Sequence, residues 1–153
     1  MASGNEKQRV GVGVAVVIGR ETPTGREVLL VQRRYHGAGS WSTVGGYIDP
    51  GESPEASCRR EALEETGVAI SEPMFACVTN DIHDDGKHNV TLWFTADALN
   101  PAAELRVSEE SLAAGWFAWD ALPEPIYRSF GNYLAGPTWP AVAERRRRMS
   151  GRS

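Results

Sequence analysis

The sequence predicts a single α+β domain, and three observations carry that expectation. The chain has 153 residues, 41% hydrophobic and 24% charged, which suits one core built without disulfide staples. Runs of alternating β-branched residues flank a segment with strong helix punctuation. No internal repeat, low-complexity block or linker interrupts the pattern.

The elements follow in order. Residues 1–8 are polar and read as a loose leader, and residues 141–153 as a loose C-terminal end. Val10, Val12, Val14 and Val16 alternate with small residues, and Ile18 continues the series, the period-2 signature of a strand. Residues 21–26 hold Thr, Pro and Gly and turn the chain into a second strand, Glu27–Arg33, completing a hairpin. The Gly- and Ser-rich stretch Tyr35–Ser42 is expected to be a loop. A short strand over Val44–Ile48 then ends at Asp49-Pro50-Gly51. Ser53 is a good N-cap, Pro54 fits the first helical position and Gly67 is a good stop, with the helix formers of ASCRREALEET between them. Strands are expected at Met74–Ile82 and Asn89–Ala96, around an Asp84-Asp85-Gly86 turn, and at Ala114–Trp119. Ile126–Leu134 reads as a closing helix.

Charge and cysteine content narrow the function classes. The net charge is −4, and residues 141–153 contribute five arginines against one glutamate, so the first 140 residues carry −8. An acidic body argues against nucleic acid as the main ligand unless a metal intervenes. The Arg145–Arg148 run reads as a solvated end, with phosphate binding as the alternative. The longest apolar stretch, Val10–Gly19, spans ten residues, too short to cross a bilayer, and no signal peptide is seen before it. Cys58 and Cys77 make neither a disulfide framework nor a CxxC metal site, so a reduced, cytoplasmic protein is expected.

The chemistry concentrates on the first predicted helix. Glu61, Glu64 and Glu65 stand at i, i+3 and i+4, on one face within a turn. Like charges so spaced repel, and something positive must accompany them. Arg60 reaches Glu64 at i+4 and Glu52 upstream, while the remaining charge suits hard divalent cations. An exposed charged helix face is the plain alternative. The wider spacing favours the site. Gly46, Glu52, Arg60-Glu61, Glu64-Glu65, Gly67 and Val68 fall in the pattern Gx5Ex7REUxEExGU, where U is a bulky aliphatic. This resembles the Nudix box of the Nudix hydrolases at eight of nine specified positions. The departure is Ala62, where a larger aliphatic is usual, with an expected effect on helix packing. Val44 stands where many members carry proline, which is expected to leave the loop less rigid.

The resemblance implies an α/β/α sandwich around a mixed sheet and Mg²⁺- or Mn²⁺-dependent hydrolysis of a nucleoside diphosphate linked to another group. By position it implies Glu61, Glu64 and Glu65 as metal ligands, with the Gly46 carbonyl as an additional one. Arg60 would orient a glutamate, and Glu52 would steady the loop or contact the metal indirectly. Displacement at phosphorus needs neutralised phosphate oxygens and an activated water, which bound metals supply. A glutamate then takes the water proton. In similar proteins one glutamate from outside the box completes the site, and Glu109 is preferred here over Glu110.

Substrate signs are weaker. The proline that marks the ADP-ribose branch is replaced by His83 and Asp84. The tyrosine of the diadenosine polyphosphate branch is replaced by Asp85 and Gly86, and the NADH signature SQPWPFPxS is absent. No coenzyme A signature precedes the box. The default is therefore the MutT-like nucleoside triphosphate pyrophosphatase branch, which sanitises nucleotide pools. Trp116, Phe117, Asn80 and Asp81 are candidates for a base pocket; Arg33 and Arg34 are the best phosphate contacts, because guanidinium binds phosphate bidentately. His83, His88 and Lys87 are weaker ones. A small-molecule nucleotide is the expected partner, with no membrane and with a homodimer left open. The alternatives are an RNA-end hydrolase using the Arg tail and a catalytically silent nucleotide-binding regulator. No GxSxG, GxxxxGK[ST] or GxGxxG motif supports other chemistry.

Overall fold

The valine alternation becomes strand β1 (Gly11–Thr22), which turns back into β2 (Gly25–Arg33), in a computed structural model that describes residues 8–136. β3 (Trp41–Ser42) and β4 (Val44–Tyr47) follow, then helix α1 (Pro54–Thr66), β5 (Met74–Ile82), β6 (His88–Asp97), β7 (Ser111–Ala118) and helix α2 (Arg128–Ala135). The sheet runs β3-β2-β1-β6-β5, with β4 also pairing β1 and β7 also pairing β2. β1 and β6 are parallel, with Val12 opposite Val90 and Val16 opposite Phe94, and the other pairings are antiparallel. The expected mixed sheet between helices is the observed architecture. The Arg145–Arg148 run lies outside the described residues.

β1 is central, so both of its faces are covered. Val14, Val16 and Ile18 join Leu29, Val44, Ala62, Val68 and Phe94 beneath α1. Ala15 and Val17 join Val28, Leu30, Trp93 and Phe130 beneath α2. Ala15 and Val17, between the valines and isoleucine of the first face, therefore meet a second core rather than water. Ala62 is wholly buried in the first core. The small side chain at this box position is thus a matter of packing.

Three boundaries differ from expectation. β3 lies inside the stretch expected to be a loop; two residues carry no periodic signal, and their strand character comes from pairing Ser42 with Val31. β7 starts at Ser111, because the end of β2 reaches it across a bulge at Gln32/Arg33. α2 starts at Arg128, after Tyr127 serves as an extended N-cap without a capping side chain. Elsewhere the punctuation holds: Ser53 accepts the Ala56 N–H at 3.1 Å, and Gly67 takes a left-handed φ of 74° with its N–H on the Leu63 carbonyl at 3.0 Å.

Two features aim α1. In the β1–β4 pairing Val14 faces Gly46 and Ala15 faces Gly45, and a Cβ on Gly45 would collide with the Val14 carbonyl. The double glycine therefore lets the backbone pass tightly under the helix. At the far end of α1, Arg106 donates to the Leu63 carbonyl at 2.6 Å and its backbone N–H to that of Thr66 at 2.9 Å. Among the described residues no helix is long and apolar enough to cross a membrane.

Candidate active site

The three glutamates of α1 part company. Glu61 turns into a cavity of about 430 Å³ and Glu65 joins it there, while Glu64 points outward. The Glu61 side chain is 12% exposed and that of Glu64 60%. Arg60 ties the set together. Its Nε and Nη2 grip the two Glu52 oxygens at 2.8 and 2.9 Å, a fork-to-fork pair. Its Nη1 reaches Glu61 at 2.9 Å and Glu64 at 3.2 Å, and Nη2 donates to the Tyr47 carbonyl at 3.2 Å. Glu52 also accepts the Asp49 N–H at 3.2 Å. The Arg60 fork holds the Glu52 carboxyl down at about 2, and Arg60 itself is pushed above the usual arginine range by its Glu52 hydrogen bonds.

Inside the cavity the electrostatics run the other way. Burial raises the Glu61 carboxyl. Burial, then a hydrogen bond to Glu61, then the Glu61 charge lift Glu65 well above the carboxylate range, with the Gly45 N–H opposing and Glu110 adding to the rise. Two enclosed carboxylates in contact repel when both are charged, and positive charge between them would relieve that. The opposite side of that space is the Gly46 backbone, where a Cβ would sit 2.7 Å from the Glu61 carboxyl carbon. Only glycine leaves this room. Hard oxygen donors around a glycine-backed space fit a small divalent cation, which takes one or two carboxylates and completes its shell with water and substrate phosphate. Among the described residues, no group of three or more His, Cys, Asp or Glu side chains forms a ready-made metal cage.

The remaining walls come from distant segments. Arg33, the last residue of β2, and Arg34 after it reach the cavity, joined by Tyr47, Lys87, Tyr127 and Glu110. Asp81 lines it as well but is wholly buried: its carboxylate accepts from Thr91 at 2.6 Å, Asn132 at 2.9 Å and Thr79 at 3.2 Å. Other expected site residues are placed elsewhere. Glu110, not Glu109, lines the cavity; the Arg34 N–H on the Glu110 carbonyl at 3.2 Å sets it there. Asn80 alternates to the opposite face of β5 and meets His88 at 2.6 Å. Trp116 packs against the α1-side core with the Arg20 guanidinium 4.5 Å from its ring centre. Phe117 lies edge-on to Trp41 at 5.0 Å on the α2 side. Neither lines the cavity, so the aromatic pair expected there is occupied in packing. Tyr47, Asn89, Thr91 and Tyr127 are lining residues missed by sequence reasoning; Tyr47, inside the box, was the one within reach of motif spacing.

The fold and this glutamate-bearing helix define an α+β sandwich built around a mixed sheet. The chain belongs to the Nudix hydrolase family: the NUDIX domain matches residues 7–135. Among solved structures, a MutT NUDIX hydrolase from Burkholderia pseudomallei superposes with a TM-score of 0.72 at 32% identity, covering 84% of this chain and 96% of that one. The NUDIX domain of Shewanella oneidensis NrtR, complexed with ADP ribose, gives 0.72 at 24% identity over 84% and 86% of the two chains and shows the fold alone. Among curated relatives, the NAD-capped RNA hydrolase NudC of Stutzerimonas stutzeri is 35% identical over 114 residues, 72% of this chain and 39% of its own length. The chain thus spans about two-fifths of the length of the NudC relatives it matches.

Proposed function

We propose that this Nudix hydrolase cleaves a nucleoside diphosphate derivative at a pyrophosphate bond with Mg²⁺ or Mn²⁺, a nucleoside triphosphate being the first candidate. The carrying observation is the Glu61–Glu65 carboxyl pair enclosed in one cavity, with Gly46 against Glu61. These residues would hold the cation, with Glu64 at the rim as the third carboxylate of the box. The bound cation supplies charge neutralisation on the phosphate oxygens and acidifies a water. Arg60 and Glu52 keep Glu61 in register. Arg33 and Arg34 hold the phosphate chain, and Lys87 adds charge at the mouth. A carboxylate takes the water proton, and the position of Glu110 in the wall supports that assignment over Glu109. The two free, buried cysteines suit a cytoplasmic setting.

A second reading, hydrolysis at an RNA 5′ end, is supported by the NudC names of the curated relatives. The missing SQPWPFPxS signature ranks it second. The test is a panel of nucleoside triphosphates, ADP-ribose, NADH and NAD-capped RNA, scored by product identity with Mg²⁺, with EDTA and after metal is restored. The expected result is a nucleoside monophosphate product that EDTA abolishes and Mg²⁺ restores. Turnover in chelator sinks the metal assignment, and preference for capped RNA promotes the second reading. Mg²⁺ should also raise the melting temperature, as any ligand specific to the native state does.

A further inference from the structure

Behind the wall opposite the box, and meeting it at Tyr127, lies a chain of polar groups that the reaction does not use directly. Asp85 Oδ2 lies 2.9 Å from His36 Nε2, and His36 Nδ1 lies 2.8 Å from the Tyr127 hydroxyl. Asp85 is held below the usual carboxylate range, first by the Lys87 N–H, which its other oxygen accepts at 3.0 Å, with His36 adding to the effect. An ionised Asp85 only accepts, so His36 donates to it from Nε2, and His36 Nδ1 makes the next bond with the Tyr127 hydroxyl. The result is a carboxylate–imidazole–phenol chain. It joins three separated segments: the loop after β2, the β5–β6 turn and the entry to α2.

The chain ends on Arg33. The His36 carbonyl accepts from Arg33 Nε at 2.6 Å. The Arg33 guanidinium carbon sits 4.0 Å from the centre of the Tyr127 ring. His83 stacks on that ring at 5.2 Å and meets His36 edge-on at 4.6 Å. Gly37 turns with φ of 68° so closely that a Cβ there would sit 2.8 Å from the Tyr127 ring. Tyr127 therefore cannot swing without breaking its bond to His36, and Arg33 cannot leave without losing both its acceptor and its aromatic seat.

We infer that His36 is a positioning residue: with Asp85 and Tyr127 it locks the seat of Arg33, so that the guanidinium reaches the substrate's phosphate chain already oriented. This rests on the assignment of Arg33 as a phosphate contact. A free arginine side chain gives up rotamer freedom each time it binds; one held at its Nε and its face has given it up beforehand.

The experiment is a double-mutant cycle read as the Kd of ADP by calorimetry, with and without Mg²⁺. Arg33→Ala should weaken ADP about tenfold, the scale of a lost charge-assisted contact. His36→Phe should weaken it about three- to tenfold in the wild-type background and less than about twofold in the Arg33→Ala background, because contacting residues are not additive. His36→Gln, which keeps a donor towards Asp85, should recover part of the loss. Should His36→Phe fold poorly, Tyr127→Phe takes its place, since it keeps the ring and removes only the hydroxyl. Losses that multiply independently, or a His36→Phe variant that binds like wild type, overturn the positioning role while leaving Arg33 a phosphate contact. No measurable ADP binding by wild type, or an Arg33→Ala variant that binds like wild type, overturns the phosphate assignment and the inference with it.

Discussion

The two sides of the cavity are built in different ways. The box side comes from one contiguous stretch, residues 45–68. There a double glycine passes under a helix, and carboxylates four residues apart face the same space. The opposite side is assembled from the end of β2, the β5–β6 turn, the start of β7 and Tyr127, which meet only in the folded chain. The first side follows from helix geometry and, on the proposed function, would hold the reaction. The second follows from sheet topology and would hold the substrate. A change on the box side should therefore act on turnover, and a change on the other on affinity or stability.

The sharpest break in that contrast would come at Glu65. Glu65→Gln keeps the shape and removes a carboxylate whose neutral form burial already favours. Turnover should fall by about a hundredfold or more, while the metal-free melting curve stays within about 0.5 kcal/mol of wild type. Near-normal hydrolysis would remove Glu65 from the site. Asp81→Ala on the other side should do the reverse. It strands the Thr79, Thr91 and Asn132 donors in a buried place, costing about 2–4 kcal/mol in a denaturant titration; a cost under about 1 kcal/mol would show that these donors find other partners. Arg60→Lys should lower turnover about tenfold, because a point charge cannot replace the fork on Glu52. Wild-type kinetics in that variant would end its orienting role.

The smallest effect is a titration. Glu52 is depressed to about 2 from 4.5. Its contribution to stability is present above the unfolded value and is lost as pH falls from there through about 2. Carboxyl NMR should find Glu52 ionised well below pH 4, and Arg60→Lys should move its midpoint back up. A midpoint near 4.5 in wild type would mean that the fork does not persist in solution.

Legibility in the sequence followed the same division. The helix, its caps and the Gly46-to-Val68 spacing could be read because each depends on residues within a turn or two of one another. The outward turn of Glu64 could not: i+3 and i+4 share a face by spacing, and only the glycine-backed space beside Glu61 and Glu65 separates them. The choice of Glu110 over Glu109 depended on where Arg34 pairs across the sheet. Trp116 and Phe117 looked free to hold a base because alternation says that they face opposite sides, but not that both sides are filled. His36 and Tyr127 lie 91 positions apart, and nothing local announces that they touch.

The parallel pairing of β1 with β6 has a consequence for how the protein is made. β1 is synthesised before β6, the neighbour on one of its flanks, which spans residues 88–97. Closing a loop of that span is slow compared with forming a hairpin or a helix turn. The first hairpin and α1 thus emerge while the central strand still shows an open edge and half of its apolar face. During that interval the open edge of β1 is free to pair with other chains. β6 is the strand that covers that edge, and it precedes Tyr127 of the far wall in the chain.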